Sequence, residues 1–367
     1  MLGFQPPAVG EDEIGAVAET IRSGWLTTGP KAAELEERLT EYLEAKHVLA
    51  VSSGTAALHL SLVALGVGPG DEVITSPITW PATANVIIHC GATPVFADVR
   101  DSDLNIDPAS VADAVTGRTK AIVPVHLAGQ PCDLEPLWAL GVPVVDDAAH
   151  ALESVYRGRK LGALSDATCF SLYATKNLAA GEGGLVATNR DDLAARLRDL
   201  RLMRRSDGSL YDIAVPGYKA NLSDVLAAIA VAQFDKLESH RAIRERYFAA
   251  YDEAVAELEG IEPLARDDRD VHALHLYIVR VDPERAGGTR DDYAALLAEE
   301  NIATSIHFLP VHTLTAYRER LHPPPVLPVA ERAGAEVLSL PLSPAHSDDD
   351  IADAVAALRR VHGRLTG

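Results

Sequence analysis

His47-Val48-Leu49-Ala50-Val51-Ser52-Ser53-Gly54-Thr55-Ala56-Ala57 joins an apolar run of strand length to a helical stretch that continues to about residue 65. A strand, a glycine-bearing turn and a helix in that order form the repeating unit of a parallel sheet covered by helices. Outward from this stretch the unit recurs. Short apolar runs at residues 47–51, 72–76, 94–98, 120–126, 142–146, 167–172 and 184–188 alternate with segments of helical period. Gly68-Pro69-Gly70-Asp71, Gly91-Ala92-Thr93-Pro94 and Gly141-Val142-Pro143 punctuate them, which keeps the connections short. The fold class expected is α/β, with a large lobe built on a mostly parallel, seven-stranded sheet. Upstream, Leu35, Leu39, Tyr42 and Leu43 form one stripe of a helix over residues 31–46.

Downstream the pattern changes after Gly217. Residues 221–234 are apolar with little interruption, and residues 236–258 read as a long amphipathic helix able to connect two lobes. The lobe boundary is placed near residue 238. Residues 1–238 then form the large domain, with an N-terminal segment, and residues 239–367 a small C-terminal α+β domain. That domain is expected to hold strands at 274–281 and 302–307, a helix at 290–300 and a terminal helix at 348–364, interrupted by a rigid Pro323-Pro324-Pro325 loop. No internal repeat is visible.

A chain of 367 residues, 47% hydrophobic and 23% charged, has ample material for two packed lobes and no bias toward disorder. Its formal net charge of -20, from 53 acidic against 33 basic side chains, argues against a nucleic-acid partner. No run of eighteen apolar residues is present, and the opening residues lack a basic segment followed by an apolar one. A cytoplasmic protein with no membrane association is expected. Cys90, Cys132 and Cys169 are odd in number and contain no CxxC pair, so they read as small core residues rather than a disulfide frame or metal site.

Three segments carry chemistry. In Ser52-Ser53-Gly54-Thr55, the glycine permits close backbone approach and the free amides at the helix start offer donors to an anion such as phosphate; an ordinary serine N-cap explains the serine equally well. In Val144-Val145-Asp146-Asp147-Ala148-Ala149-His150, acidic residues end an apolar strand at the sheet edge where ligands of such sheets bind. Asp146 is read as a cap of the following helix and Asp147 as functional. In Ser171-Leu172-Tyr173-Ala174-Thr175-Lys176-Asn177, one of only seven lysines follows a buried strand, where desolvation would make its amine a nucleophile. Together these supply the anchors pyridoxal 5'-phosphate (PLP) needs: an amine for its aldehyde, amides for its phosphate, and a carboxylate that keeps its ring nitrogen protonated. Trp80, after the second strand, is placed to stack on the ring, although a core tryptophan fits that position as well.

The chain resembles the DegT/StrS group of nucleotide-sugar aminotransferases, which are fold type I PLP enzymes, over nearly its whole length. The matching segments run from Ser23-Gly24-Trp25-Leu26-Thr27-Thr28-Gly29-Pro30 through SSGTAALH, SPITWPATAN, DDAAHA, SLYATKN and GEGG to Gly217-Tyr218-Lys219-Ala220-Asn221-Leu222-Ser223-Asp224. With Ser305-Ile306-His307-Phe308, they are similar to the branch that aminates C4 of a keto sugar. The resemblance implies that Lys176 binds the cofactor and then carries the proton, and that Asp147 pairs with the ring nitrogen. It further implies that Trp80 stacks on the ring, that Ser53, Gly54, Thr55 and Ser171 bind the phosphate, and that His150 lies near the ring hydroxyl. Asn221 would reach the phosphate of a neighbouring subunit, so a homodimer with shared active sites is expected. Thr27, Tyr173, Lys219, His307 and Tyr317 are candidates for substrate contact; Tyr317 falls on an expected surface helix. Sugar 3-dehydratases of this fold carry histidine where this chain has Lys176, which favours transamination. A desulfurase would need a mobile catalytic cysteine, and all three cysteines lie in apolar segments.

The activity expected is amination of a nucleotide-diphospho keto sugar, dTDP-4-keto-6-deoxyglucose in particular, with glutamate as donor and 2-oxoglutarate as by-product. This chemistry belongs to amino-sugar and secondary-metabolite biosynthesis. The alternatives are a UDP-linked 4-keto sugar, a 3-keto sugar, or a non-catalytic PLP-binding regulatory role.

Overall fold

Alternation of apolar side chains along the short runs sends successive residues to opposite faces of a sheet. The computed structural model, which describes residues 1–162, 164–203, 212–321 and 323–367, contains β1 (His47–Val51), β2 (Glu72–Thr75), β3 (Thr93–Phe96), β4 (Thr119–Val123), β5 (Val145–Asp147), β6 (Ala167–Ser171) and β7 (Gly184–Thr188). Their order is β1-β7-β6-β5-β4-β2-β3. Single bridges Ile122–Val144 and Val125–Asp147 join the β5 and β4 halves into one sheet. Among these strands, β7 runs antiparallel to both neighbours and the other pairings are parallel. Val48, Ala50 and Ile122 enter one apolar layer, while Leu49, Val51, Ala121 and Val123 enter the other.

The helix Asp224–Phe234 is apolar on all sides because it is packed against both Glu11–Ser23 and Pro30–Tyr42. Its first residue also explains a sequence motif. The buried Asp224 carboxylate accepts the amides of Gly29 at 2.7 Å, Lys31 at 3.0 Å and Ala32 at 3.1 Å, capping the helix Pro30–Tyr42. The Thr27-Thr28-Gly29 and Asn221-Leu222-Ser223-Asp224 segments are thus bound to each other.

The helix Leu237–Val255 leads into the C-terminal lobe, where β8 (Ile261–Pro263), β9 (Tyr277–Val281) and β10 (Val337–Leu340) form an antiparallel sheet in that order. Tyr251, Tyr277, Val279, Leu338 and Leu358 build its core. The strand expected at 274–281 begins only at Tyr277. The one expected at 302–307 does not form: Ile302 bridges Leu2, Ser305 bridges Ser339, and the third strand of the sheet is β10 instead. The N-terminal segment takes the pairing positions, with Leu2 N donating to Asn301 O at 2.7 Å and Ala303 N to Leu2 O at 3.1 Å. Its continuation carries Gln5 to the lobe junction, where Nε2 donates to His275 O at 3.1 Å. Ile78, Phe96, Leu276, Ile278, Phe308 and Tyr317 fill that junction. Among the described residues no helix is long and apolar enough to cross a membrane.

Candidate active site

Strand register gathers the polar residues at the C-terminal sheet edge. Val51 lies beside Gly184, Gly184 beside Ser171, and Asp147 beside Cys169. Above them opens a cavity of about 530 Å³ between the lobes. Two glycines let the turn after β1 press onto the strands. A Cβ on Gly184 would sit 2.4 Å from the Ser53 carbonyl carbon and 2.6 Å from the Gly54 nitrogen; one on Gly54 would sit 3.0 Å from Ser171 Cβ. Ser53 Oγ accepts the Ala56 amide at 3.0 Å, so this serine is both a helix cap and part of the cavity wall. The amides of Gly54 and Thr55, at the start of the helix Gly54–Ala64, have no acceptor among the described residues. Beside Ser171 they form a cradle of anion donors at one end of the cavity.

Asp147 is buried at the cavity floor. Its Oδ2 accepts from Thr83 Oγ1 at 2.8 Å and its Oδ1 from the Ala149 amide at 3.1 Å. Burial raises its carboxyl above the ordinary range, against the opposing pull of Thr83, the Ala149 amide and the Lys176 charge. A cation presented from the cavity would compensate this desolvated acid. Asp146, expected to cap a helix, does not: Ser165 Oγ and Thr168 Oγ1 each donate to it at 3.1 Å on the far face of the strand. Alternation along β5 separates the two acids, and the backbone turn after the strand is held by Asp147.

Lys176 follows β6 in a turn closed by its own amide, which donates to Tyr173 O at 2.9 Å. Burial lowers its amine to about 8, partly offset by Asp147. An amine with that basicity is neutral often enough near pH 7 to act as nucleophile and base. His275 Nε2 lies 3.5 Å from Lys176 Nζ.

Trp80, His150, Tyr173 and His307 also line the cavity. Trp80 is 66% exposed, so the core reading is set aside: its ring stands at the mouth, with its centroid 6.4 Å from that of Phe308. His150 stacks on Phe308 at 6.0 Å, and His307 Nδ1 lies 2.8 Å from Ser339 Oγ. Burial holds both imidazoles below their ordinary range. Four candidates lie away from this cavity. Thr27 is exposed and its carbonyl accepts from the Asp224 amide at 3.2 Å. Lys219 Nζ donates to Asn221 Oδ1 at 2.7 Å, and Asn221 Nδ2 donates to Thr28 Oγ1. Tyr317 is buried rather than on the surface, because its hydroxyl donates to Asn85 Oδ1 at 2.6 Å and its ring packs edge-on against Phe96. The cysteines behave as core residues: Cys132 and Cys169 are buried, and desolvation pushes both thiols up, as it does that of the half-buried Cys90.

Sequence reasoning passed over Thr83, Gln5, Phe308 and His275, all of which line the cavity. Thr83 lies within the quoted SPITWPATAN segment and was recoverable there. His275 stands 99 residues from the lysine it approaches, and nothing in its local sequence marks it.

These residues fit PLP: amides and a serine hydroxyl for a phosphate, a buried acid lacking a full counter-charge for the ring nitrogen, an exposed aromatic face, and an amine of lowered basicity. Residues 7–359 match the DegT/DnrJ/EryC1/StrS aminotransferase family. The chain is 45% identical to the spore coat polysaccharide biosynthesis protein SpsC of Bacillus subtilis (strain 168), covering 98% of this chain and 97% of that one. It is similar in structure to a putative sugar aminotransferase from Streptococcus pneumoniae in its PLP form (33% identity, TM-score 0.93, 100% of both chains), also solved in a pyridoxamine phosphate (PMP) form. A further likeness is to the aminotransferase TlmJ from Streptoalloteichus hindustanus (34% identity, TM-score 0.94, 100% of both chains). The chain therefore belongs to the DegT/DnrJ/EryC1/StrS aminotransferase family, and it is a PLP-dependent sugar aminotransferase of fold type I.

Proposed function

We propose that the enzyme aminates C4 of a nucleotide-linked 4-keto-6-deoxyhexose, dTDP-4-keto-6-deoxyglucose in particular, with glutamate as the amino donor. The observation that carries this reading is the apolar wall of Ile306 and Phe308 in the same cavity as the Lys176 amine. In such a sugar the C6 methyl is two bonds from the reacting C4, so a 4-keto substrate sets a methyl group against apolar surface while its carbonyl faces the amine. In a 3-keto isomer the methyl is one bond further away. The name of the spore coat polysaccharide relative supports a sugar as the substrate class.

PLP, when bound, supplies an aldehyde carbon that takes up nitrogen and a ring that accepts electrons. The chain's residues do the rest. Gly54, Thr55 and Ser171 hold the phosphate, and Trp80 covers one ring face. His150 lies near the ring hydroxyl, while Ser53 sets the helix start that presents the amides. Asp147 keeps the ring nitrogen protonated, because a cation beside it relieves its own desolvation. Lys176 Nζ would move one proton in each half-reaction, off the donor's α-carbon in the first and onto C4 of the sugar in the second, the cofactor's aldehyde carbon being the other terminus each time. Tyr173 and His307 contact substrate at the mouth.

The reading extends to assembly. Trp25, Leu26 and Tyr218 are 53%, 52% and 39% exposed around the Thr28–Asn221 contact, an apolar surface suited to a second copy of the chain. In the homodimer we propose, Asn221 reaches the neighbouring phosphate cradle, with Thr27 and Lys219 beside it at the shared mouth. The lobe boundary is placed near residue 238 and the enzyme in the cytoplasm. The test is product analysis. Protein incubated with glutamate and separate dTDP- and UDP-linked 3-keto and 4-keto sugars should release 2-oxoglutarate and a 4-amino-6-deoxy dTDP sugar, identified by mass and NMR. Preferential turnover of a UDP-linked or a 3-keto substrate would overturn the assignment.

A further inference from the structure

Behind the Lys176 amine lies a buried polar chain that the roles above do not use. Asn177 Nδ2 donates to Glu153 Oε2 at 2.6 Å and to the Ala273 carbonyl at 2.7 Å. The Ala273 carbonyl can only accept, so the amide orientation is forced and Oδ1 is turned toward His275 Nδ1, 3.0 Å away. An amide oxygen can only accept; Nδ1 therefore carries the imidazole hydrogen. In the neutral ring the lone pair then sits on Nε2, the atom 3.5 Å from Lys176 Nζ. The ring is neutral because burial, followed by the Lys176, His150, His307 and Arg244 charges, holds its protonation well below the ordinary range. Glu153 is fixed in turn by Arg244, and both side chains are 3% exposed. The backbone of His275 is clamped on both sides, its amide donating to Ala128 O at 3.0 Å and its carbonyl accepting from Gln5.

The other ring nitrogens are differently engaged: His150 Nδ1 accepts the Ala128 amide at 3.3 Å, and His307 Nδ1 is within hydrogen-bond reach of Ser339 Oγ. The remaining ionisable groups lining the cavity with Lys176 are Asp147, Cys169, Tyr173 and Glu182. His240 and Arg244 border a small void behind the lysine. Among the described residues, His275 alone offers a side-chain acceptor at hydrogen-bond distance from Nζ.

We propose that His275 is a positioning residue: its Nε2 lone pair, set by the Asn177–Glu153–Arg244 chain, aims the Lys176 amine and stabilises it once it has taken the substrate proton. The inference rests on Lys176 being the proton carrier. In the step itself the electron pair of the breaking C–H bond stays with the substrate and the Nζ lone pair binds the proton. The resulting ammonium donates a hydrogen bond to Nε2. His275 accepts that bond and takes no proton.

The test uses the full chain in its PMP form, in which Lys176 is free, with competitive acetylation followed by mass spectrometry. The pH midpoint of Lys176 labelling reports its basicity whether or not it carries the chemistry, so failure of this inference is separable from failure of the Lys176 assignment. The wild-type midpoint is the reference, and it should lie below that of an ordinary lysine because burial lowers the amine. His275→Phe should lower it by about one pH unit, the worth of one hydrogen bond to a charged group, and slow the single-turnover reaction with 2-oxoglutarate roughly tenfold at unchanged KM. Asn177→Leu leaves the imidazole in place but releases its tautomer, and should shift the midpoint in the same direction. His275→Gln supplies both a donor and an acceptor, and should restore most of the midpoint and rate. An unmoved midpoint in both His275→Phe and Asn177→Leu overturns the proposal. So does a His275→Gln enzyme as impaired as His275→Phe, or failure of all three variants to load cofactor, since either marks a purely structural role.

Discussion

Asp146 and Asp147 are adjacent in β5, both are buried, and desolvation raises both carboxyls; yet they belong to different regions of the molecule. Asp147 faces the cavity, with Thr83 and the Lys176 charge within its field. Asp146 is pushed up to about 7 inside the layer behind, held by Ser165 and Thr168, with His126 Nε2 at 3.8 Å. Strand alternation alone creates this division. What makes one acid a candidate for chemistry is access to the cavity and to a compensating cation, since the two are alike in burial and residue type.

The comparison breaks most sharply at the lysine that gives the cavity face its charge. Lys176→Ala should lower turnover at least roughly a thousandfold, because covalent attachment and proton carriage are lost together. The fold should remain, since the turn around the lysine is closed by backbone bonds. Steady-state turnover with glutamate and a keto sugar, alongside circular dichroism, measures both; a variant retaining a tenth of the wild-type rate would sink the assignment.

The two acids supply the next test. Asp147→Asn keeps the shape but loses the charge that holds a ring proton, and single-turnover rates should fall roughly a hundredfold. Asp146→Asn should leave the rate close to wild type and act on stability instead. The Asp146 carboxyl titrates at about 7 in the folded chain against about 3.8 unfolded, so the folded state binds the proton more tightly. Its contribution is therefore full below pH 4, declines as pH rises toward 7, and is constant above. Asp146→Asn removes that decline, so its melting temperature relative to wild type should climb between pH 4 and 7 and then level off. A flat difference across that window would mean that Asp146 is not the buried acid described here, and equal rate losses in the two variants would erase the distinction between the faces.

The same division governs how much of the molecule the sequence discloses. The seven strands of the large lobe were readable because each is a short apolar run, several of them set off by glycine or proline turns, and Lys176, Asp147 and the Ser53-Gly54-Thr55 turn were readable because each lies within a few residues of the end of such a run. In the C-terminal lobe the helices Arg290–Glu299 and Asp348–Thr366 were equally readable, but the sheet was not. Residues 302–307 resemble a strand, but their pairing positions are taken by Leu2, three hundred residues away, and by a single bridge to Ser339. β10 follows the helix Pro328–Glu336 without an intervening turn, so no punctuation marks it. Nor was it legible that His275 stands behind the lysine, because that depends on how the two lobes close on each other.

Tyr317 carries the smallest expected effect and tests the rear layer from the other lobe. From sequence it is a candidate substrate contact, with a plain position on a surface helix fitting at least as well; in the structure it is 3% exposed in the lobe junction, outside the cavity wall. Tyr317→Phe keeps the ring against Phe96 and removes one hydrogen bond to Asn85, which is exposed and can turn to water. The net cost should be about 0.5 to 1 kcal/mol, or roughly 1 °C of melting temperature for a chain of this size. KM values for both glutamate and the keto sugar should be unchanged. A several-fold rise in the sugar KM without loss of stability would return Tyr317 to the cavity and show that the junction opens when substrate binds, so that the cavity face extends deeper between the lobes than the closed packing of Phe96, Tyr317 and Phe308 allows.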